Sequence, residues 1–467
     1  MRSLRIACAV LAAFAGSSLA AADPAADRDE ASQLLAELVA IDTTQAGSTG
    51  PAVDRIASYL RAAGFRDEEL LVLGPRPDRM NLVVRLPSAR RAQAKPIVFM
   101  AHLDVVEANA REWSTPPFTL TERDGFYYGR GAVDIKNEVA DLVANFARLR
   151  REGFVPKRDL LLALTADEEE GDANGVAWLL ANRPDLMDVA YAINLDAGGL
   201  HQQRGRFVRM PIQTAEKLYL LFRIEATSLG GHGSLPTREN AIYRLGAALA
   251  RLDGIEFPAR ITATTRPYLE QLAESETGEL GAALRGVLAE PPDAAGLAKL
   301  SAIPFYNGTL RSVCTPTLIA GGHAENALPE RATATLQCRL MPEDDPAEIE
   351  RRIVERIADP LVRVTRGGGE LVVAPASEPN PRLFAHVAAV SREFWPGVPA
   401  VPLMDPWMSD AAYTRRAGIP TYGMSGMYFD IDDYRAHGKD ERIAVEAFEQ
   451  GLEFTRRLLL RLGRDAR

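Results

Sequence analysis

IVFMAHLD, residues 97–104, is an apolar run that ends in a His-x-Asp pair, and it decides the fold. Every residue of 97–101 is apolar, which predicts a strand that is buried on both faces. Similar runs occupy 160–165 and 190–195, and between the first two runs apolar residues recur at helical spacing over 139–149. Strands of this type alternating with helices predict an α/β fold, a mostly parallel sheet covered by helices.

Side chains that bind metals or transfer protons follow each of these runs. A histidine and an aspartate follow the first, two glutamates the second, and an aspartate the third. Ligands of an open parallel sheet bind beyond the carboxyl ends of its strands, so these side chains are expected to meet. The full set of candidates, with an aspartate from a glycine-rich loop and a histidine near the C-terminal end, is His102, Asp104, Asp134, Glu168, Glu169, Asp196 and His437.

The residue types favour a hydrolytic metal centre. Two histidines and four or five carboxylates suit a pair of divalent cations that share one bridging carboxylate. A structural zinc site would be expected to use cysteine, and beyond the N-terminal segment the chain has only Cys314 and Cys338. One acidic residue in a loop or at a helix N-terminus is usually only solvated. The whole set at strand ends, with a His-x-Asp pair among them, indicates a site.

The first residues predict an export signal. Arg2 and Arg5 precede an apolar stretch at 6–16, and small residues follow it, which is the pattern of a cleavable signal peptide over 1–22. The stretch is too short to span a bilayer comfortably, and no later one approaches the roughly 20 apolar residues that a membrane helix needs. We therefore expect a periplasmic or secreted protein without a membrane partner.

The charge limits the possible partners, and the cysteine content leaves one possible disulfide. The chain carries a net charge of −9, which becomes −11 without Arg2 and Arg5. A field of this sign argues against a nucleic-acid or anionic-membrane partner. Cys314 and Cys338 lie in strand-like segments that could be antiparallel neighbours, so a disulfide and two free thiols are both open.

The pattern of elements divides the chain. Strand and helix signals over 215–372 follow the order β-α-β-β-α-β of a ferredoxin-like α+β domain, interrupted by a helical insertion at 253–310. The pattern of the first part resumes at 373–467. We expect a catalytic domain formed by 23–214 and 373–467, with 215–372 inserted as a lid or dimerisation domain.

Seven motifs resemble the zinc-dependent aminoacylase, glutamate carboxypeptidase and succinyl-diaminopimelate desuccinylase family of metallopeptidases. They begin at residues 101, 128, 166, 194, 230, 321 and 436, and read AHLDVV, YGRGAVDIKN, ADEEEG, NLDAGG, GGHGSLP, GGHAENALPERATATLQCR and AHGKDERI. They occur in family order over nearly the whole chain after residue 30, and the carboxypeptidase S-like branch is the most similar. Asn137 departs from the pattern, because family members often have glycine there.

The resemblance implies a di-zinc exopeptidase fold and a specific set of metal ligands. His102 and Asp196 would bind one zinc ion, Glu169 and His437 would bind the other, and Asp134 would bridge the two. A site of histidine and carboxylate ligands also accepts Co²⁺ or Mn²⁺.

The resemblance also implies roles in proton transfer and positioning. Glu168 would act as the general base and pass its proton to the leaving amine. Spacing alone does not decide which of Glu168, Glu169 and Glu170 is the base. Asp104 would hydrogen-bond the second ring nitrogen of His102 and fix its orientation.

Four further positions match family residues near the substrate. The resemblance implies that His232 stabilises the tetrahedral oxyanion, often from the partner subunit of a dimer, although a lone loop histidine is more often solvated. Asn326 and Arg339 match substrate contacts. Arg339 is a candidate for binding a free α-carboxylate, with a structural salt bridge as the alternative. Gly426 matches a loop glycine near the substrate, and a homodimer through the inserted domain would be a possible assembly.

Together these features predict a metal-dependent amidohydrolase that cleaves an amide bond next to a free carboxylate. We expect a dipeptidase or carboxypeptidase first, with an N-acyl-amino-acid hydrolase as the alternative. The substrate would be a small peptide or an N-acyl amino acid. An inactive binding protein of the same fold would lack a ligand or the base, and the sequence lacks neither.

Overall fold

The computed structural model describes residues 24–89, 94–169, 171–203, 205–368 and 371–465. The predicted signal peptide at 1–22 and the side chain of Glu170 lie outside these residues. The strands β1 to β19 in the described part are, in chain order, Leu70–Arg76, Arg79–Leu86, Ile97–His102, Thr121–Arg123, Phe126–Tyr128, Leu160–Thr165, Tyr191–Asn194, Leu200–Gln203, Arg206–Glu216, Leu218–Thr227, Gly231–His232, Val313–Gly321, Ala327–Leu328, Arg331–Leu340, Val362–Gly367, Ala400–Asp405, Thr421–Gly423, Tyr428–Asp430 and Arg442–Ala444.

The helices account for most of the remaining regular structure. Apart from a short 3₁₀ turn at Asp67–Glu69, the helices α1 to α13 of the described residues are Pro24–Val39, Gly50–Ala62, Lys136–Arg151, Gly175–Asn182, Ala241–Leu252, Thr265–Ser275, Gly278–Leu288, Ala294–Ser301, Pro304–Leu310, Pro346–Ile357, Pro381–Phe394, Ala411–Arg416 and Val445–Arg464. None of them combines the length and the apolar character that a membrane-spanning helix requires.

The larger sheet has the order β1-β2-β6-β3-β7-β17-β9-β8-β18, with β16 beside β9. The three strands predicted from the apolar runs, β6, β3 and β7, are parallel neighbours near its middle, and β17 continues the parallel part. Antiparallel pairs flank this centre, such as β1 with β2 and β8 with β9. The mostly parallel sheet that the sequence predicts is therefore present.

Helices cover both faces of this sheet, which explains why its central strands are apolar throughout. On β3, Ile97 and Phe99 belong to the core formed with α1, α2, α3 and α13. Val98 and Met100 belong to a second core on the opposite face, which also includes Val176 of α4. Successive side chains of a strand point to opposite faces, so burial on both sides demands an apolar residue at every position.

The smaller sheet is antiparallel and has the order β12-β14-β10-β15. Its strands and the helices α5 and α10 that share its core follow one another along the chain as β-α-β-β-α-β. This is the predicted ferredoxin-like arrangement. The domain boundaries proposed from the sequence stay a prediction.

The helices of the insertion pack on the larger sheet, whereas Phe257, before the first of them, belongs to the core of the smaller sheet. The helices α6 to α9 bury Tyr268, Leu272 and Leu284 in one cluster with Val401 and Leu403 of β16. The inserted helices therefore cover the larger sheet at β16.

The two remaining cysteines form a disulfide bond. Cys314 and Cys338 lie directly opposite each other in the pairing of β12 with β14, and their Cα atoms are 4.1 Å apart. Of the two states left open by the sequence, the structure has the bonded one.

Candidate metal centre

The topology of the larger sheet brings the candidate residues to one edge. β3, β6 and β7 are parallel, so their carboxyl ends lie side by side. His102 is the last residue of β3, Glu168 follows β6, and Asp196 follows β7. Asp134 comes just before α3, and His437 lies in the loop between β18 and β19.

Five of these side chains form two groups that share Asp134, each compact enough to hold a metal ion. In the first group, Nε2 of His102 lies 3.1 Å from Oδ1 of Asp134 and 3.7 Å from Oδ1 of Asp196. In the second, Nε2 of His437 lies 3.1 Å from Oδ2 of Asp134 and 2.8 Å from Oε1 of Glu169. The two carboxylate oxygens of Asp134 thus face different groups, as a bridging ligand requires.

Asp104 makes different contacts from those predicted. Nδ1 of His102 donates to the backbone carbonyl of Asp104 at 2.9 Å, whereas the carboxylate lies 3.8 Å away. That carboxylate accepts hydrogen bonds from the backbone N–H groups of Glu168 at 3.1 Å and Glu169 at 3.0 Å. Asp104 therefore orients His102 through its backbone, and its side chain holds the segment with Glu168 and Glu169.

The electrostatics of the two groups suit cations. Burial, and then the carboxylate of Asp134, raise the pKa of Glu169, and burial raises the pKa of Asp196 to about 7. Burial alone would lower the pKa of His102, but hydrogen bonds with Asp134 and Asp196 raise it well above its ordinary value. In the absence of metal, the crowding of buried carboxylates therefore favours the protonated forms of these side chains. Divalent cations would replace those protons, so the donor set fits metal ions.

Glu168 lies in the wall of a cavity beside the two groups, but it belongs to neither group of ligand atoms. Burial, and then the nearby carboxylate of Asp196, raise the pKa of Glu168 well above its ordinary value. A carboxyl group with a raised pKa beside a metal site has the properties of a general base that must later donate the proton.

The loop that carries Glu168 is held by a residue that the motifs did not suggest. Asp410 is 2 % exposed, and its carboxylate accepts from Oγ1 of Thr165 at 2.9 Å and from Nδ2 of Asn174 at 2.7 Å. Thr165 ends β6 and Asn174 caps α4, so Asp410 ties both ends of this loop. In the sequence it was one acidic residue among many in a segment without a recognisable pattern.

A cavity of about 810 Å³ opens beside the two groups of ligands. Much of its wall is apolar and comes from segments far apart in the chain, and Trp407 stacks on Tyr434 in this wall. The aliphatic and aromatic lining residues include Phe126, Val133, Ile135, Leu195, Met427, Phe429 and Ile443.

Arg339 reaches this cavity from β14 of the smaller sheet. Its guanidinium group lies 4.6 Å from the centre of the Tyr219 ring. No carboxylate of the described residues forms an ion pair with it, so the salt bridge considered from the sequence is not seen in this part of the chain. The cavity therefore holds a fixed positive charge that is free to meet an anionic ligand.

The other three predicted positions lie outside the cavity lining. His232 and Asn326 are exposed next to the short pair of strands β11 and β13. Gly426 was expected beside the substrate, but it packs against the ring of Phe454, where an added Cβ would lie 2.4 Å from Cδ1. Its neighbours Ser425 and Met427 form the cavity wall at this point.

Two groups of histidine and carboxylate side chains lie at the carboxyl edge of a parallel sheet, and a buried carboxyl lies beside them. This arrangement defines a metal-dependent hydrolase. The chain belongs to peptidase family M20/M25/M40, whose sequence model matches residues 98–461.

Relatives and solved structures agree with this assignment. The chain is 28% identical over 373 residues to the N-fatty-acyl-amino acid synthase/hydrolase PM20D1 of Xenopus tropicalis. The aligned part is 77% of this chain and 71% of the relative. The chain is 25% identical over 368 residues to the probable carboxypeptidase S-like 2 of Dictyostelium discoideum, covering 77% and 70%. Human carnosine dipeptidase 1 has the same fold, with a TM-score of 0.70, 15% identity, and coverage of 94% of this chain and 97% of that one.

Zinc binding is expected to release protons. Hydrogen bonds to Asp134 and Glu169 raise the pKa of His437 to about 10 in the metal-free protein, so this imidazole is protonated at neutral pH. A histidine must be neutral to bind a metal, so His437 should lose its proton on binding; the number of protons released should be at least one, and affinity should rise with pH. Calorimetry of Zn²⁺ binding in two buffers of different ionisation enthalpy measures this number. An enthalpy that is the same in both buffers would contradict the prediction.

Proposed function

We propose that the protein is a di-zinc hydrolase that cleaves the amide bond between an apolar acyl group and an amino acid with a free α-carboxylate. One observation carries this proposal: the cavity beside the metal ligands combines an arginine that lacks a carboxylate partner among the described residues with an extensive apolar wall. Arg339 suits the carboxylate, because guanidinium binds carboxylates through paired hydrogen bonds. The apolar wall suits the acyl group. The relative in Xenopus tropicalis, named for N-fatty-acyl amino acids, adds support.

The roles of the residues follow from their positions. Bound zinc ions would polarise the scissile carbonyl and lower the pKa of a water molecule. Glu168 takes the proton from the attacking water and gives it to the leaving amine nitrogen. Asp104 keeps Glu168 in place through its hydrogen bond to the backbone, and Arg339 orients the substrate by its carboxylate. Co²⁺ or Mn²⁺ would satisfy the same donor atoms.

Dipeptide hydrolysis is the second candidate, and Glu138 favours it. This residue is 3 % exposed and belongs to the cavity wall, and its carboxylate accepts a hydrogen bond from the hydroxyl of Ser425. Its other oxygen, Oε2, has no donor among the described residues. The ammonium group of a dipeptide would supply a donor, whereas an acyl chain would not.

A substrate panel distinguishes the two candidates. Zinc-loaded protein is assayed with N-dodecanoyl-phenylalanine, N-acetyl-phenylalanine and alanyl-phenylalanine, which share one leaving amino acid. At about 0.8 kcal/mol per buried CH₂, burial of three methylenes raises kcat/KM by roughly 50-fold, so the dodecanoyl substrate should exceed the acetyl one by at least that factor. Preference for the dipeptide would support the second candidate instead. Failure to cleave any of them would reject both.

The proposal includes a homodimer and export from the cytoplasm. Exposed apolar residues surround His232 and the edge strand β12, among them Leu229 at 91%, Leu235 at 71% and both Leu318 and Ile319 at 69%. An exposed edge strand with apolar side chains suits pairing with a second copy. In such a dimer His232 would reach the cavity of the partner. The N-terminal segment supports secretion or a periplasmic location.

A further inference from the structure

A buried ion pair joins the two loops that carry Asp134 and His437. The two ligands are far apart in the chain, and neither lies on a strand or a helix. Loops are the most mobile parts of a fold, so their relative position needs a cause. Glu441 and Arg130 supply contacts to both loops, and both side chains are almost completely buried, with exposures of 0% and 2%.

Glu441 holds the backbone that leads into the bridging aspartate. Its Oε1 accepts hydrogen bonds from the backbone N–H groups of Val133 at 2.8 Å and Asp134 at 3.1 Å. Its other carboxylate oxygen, Oε2, pairs with Nη1 of Arg130. Because Glu441 is four residues after His437, this contact fixes the spacing between the two loops.

Arg130 holds the backbone around His437. Its Nη2 lies 3.4 Å from the carbonyl oxygen of His437 and 3.3 Å from that of Gly438, and it also contacts the carbonyl of Glu107 at 3.3 Å. The guanidinium lies 5.2 Å from the ring centre of Trp113. These contacts leave it little freedom to move.

We propose that Glu441 and Arg130 are positioning residues that set the metal affinity of the group formed by Asp134, Glu169 and His437. Two of the three ligands in this group depend on the pair. In the other group only Asp134 does, because His102 ends β3 and Asp196 comes two residues after the end of β7. The inference rests on the proposed binding of two metal ions. Loss of the pair should therefore weaken the binding of one metal ion much more than that of the other.

A purely structural role is the rival explanation, and the chain contains a matched control for it. Glu69 is also buried, with 4% of its side chain exposed, and its Oε2 accepts from the backbone N–H of Arg66 at 2.9 Å and from Nη2 of Arg150 at 2.7 Å. It is the last residue of the 3₁₀ turn before β1, and it does not line the cavity. Replacing it also removes a buried carboxylate that accepts from a backbone N–H and an arginine, without touching a ligand loop.

The experiment measures Zn²⁺ content and affinity in Glu441→Gln, Arg130→Lys and Glu69→Gln by competition with a chromophoric chelator, with thermal unfolding in parallel. Changes to residues that orient metal ligands typically cost 10- to 100-fold in affinity, so Glu441→Gln should bind one ion about 10- to 100-fold more weakly. The other ion should change by less than about threefold, and Arg130→Lys should show the same asymmetry. Glu69→Gln should bind both ions as the unmodified protein does.

The outcomes separate this inference from the proposed function. If the unmodified protein does not bind two zinc ions, the proposed di-zinc function fails. If it binds two and Glu441→Gln binds both with unchanged affinity, the positioning role is overturned. The same holds if Glu441→Gln weakens both ions equally, or if Glu69→Gln produces the same asymmetry. Should Glu441→Gln fail to fold, Arg130→Lys, which keeps the charge, decides by the same criteria.

Discussion

Replacing Glu168 by Gln is expected to reduce kcat by about 10²- to 10⁴-fold, because glutamine has nearly the same shape but cannot accept a proton. Metal content should stay intact, since Glu168 belongs to neither group of ligand atoms. The backbone hydrogen bond from Glu168 to Asp104 does not involve the exchanged atoms, so the loop should keep its position. Turnover of the favoured N-acyl substrate and zinc content per chain are the two measurements.

Glu169→Gln is the matched control for this experiment. The two residues are adjacent and share the support of Asp104, but only Glu169 has an oxygen atom among the ligands. Glu169→Gln should therefore lose metal affinity, whereas Glu168→Gln should lose turnover alone. If Glu168→Gln retained near-normal activity, or if it lost metal as Glu169→Gln does, the assignment of base and ligand would have to be exchanged.

The centre of the fold was predictable because a strand that is buried on both faces is apolar at nearly every position. The structure has β3, β6 and β7 within about one residue of the ends expected from the apolar runs. The flanking strands β8 and β18 do not show such a continuous apolar run. They are only three or four residues long and partly exposed, so their residues need not be apolar. The sheet continues beyond the part that the sequence could outline.

Part of the candidate site was also predictable from local sequence patterns, and the other part depends on tertiary contacts. Residues at strand ends could be placed from the sequence, because parallel strands bring their carboxyl ends together. The side-chain contacts of Asp104 depend on how a loop from another strand folds back, and no local pattern encodes that. The same applies to Asp410 and to the stacked pair of Trp407 and Tyr434, which come from separate segments. The packing of Gly426 against Phe454 was not predictable either, because a glycine required for packing looks the same in a sequence as one required by a substrate.

His232→Ala is expected to lower kcat by about 10²- to 10³-fold, the usual cost of losing one group that stabilises an oxyanion. The described part of the chain places this histidine on the exposed strand β11, outside the cavity of its own subunit. The proposed dimer would let His232 act on a substrate in the cavity of the second copy. The loss should appear in kcat, with zinc content unchanged, because His232 belongs to neither group of ligand atoms.

Mixing two inactive variants tests this arrangement directly. In a dimer of one His232→Ala chain and one Glu168→Gln chain, one cavity combines an intact Glu168 with the partner's intact His232, and the other cavity has neither. Random exchange of subunits between symmetric dimers should therefore restore about a quarter of the original activity. If His232 acted within its own subunit, each cavity of the mixed dimer would carry one defect, and activity would not exceed the average of the two variants. Co-purification through an affinity tag carried by only one of the two variants shows whether exchange has taken place, so an absence of recovery in exchanged dimers would exclude the proposed role of His232.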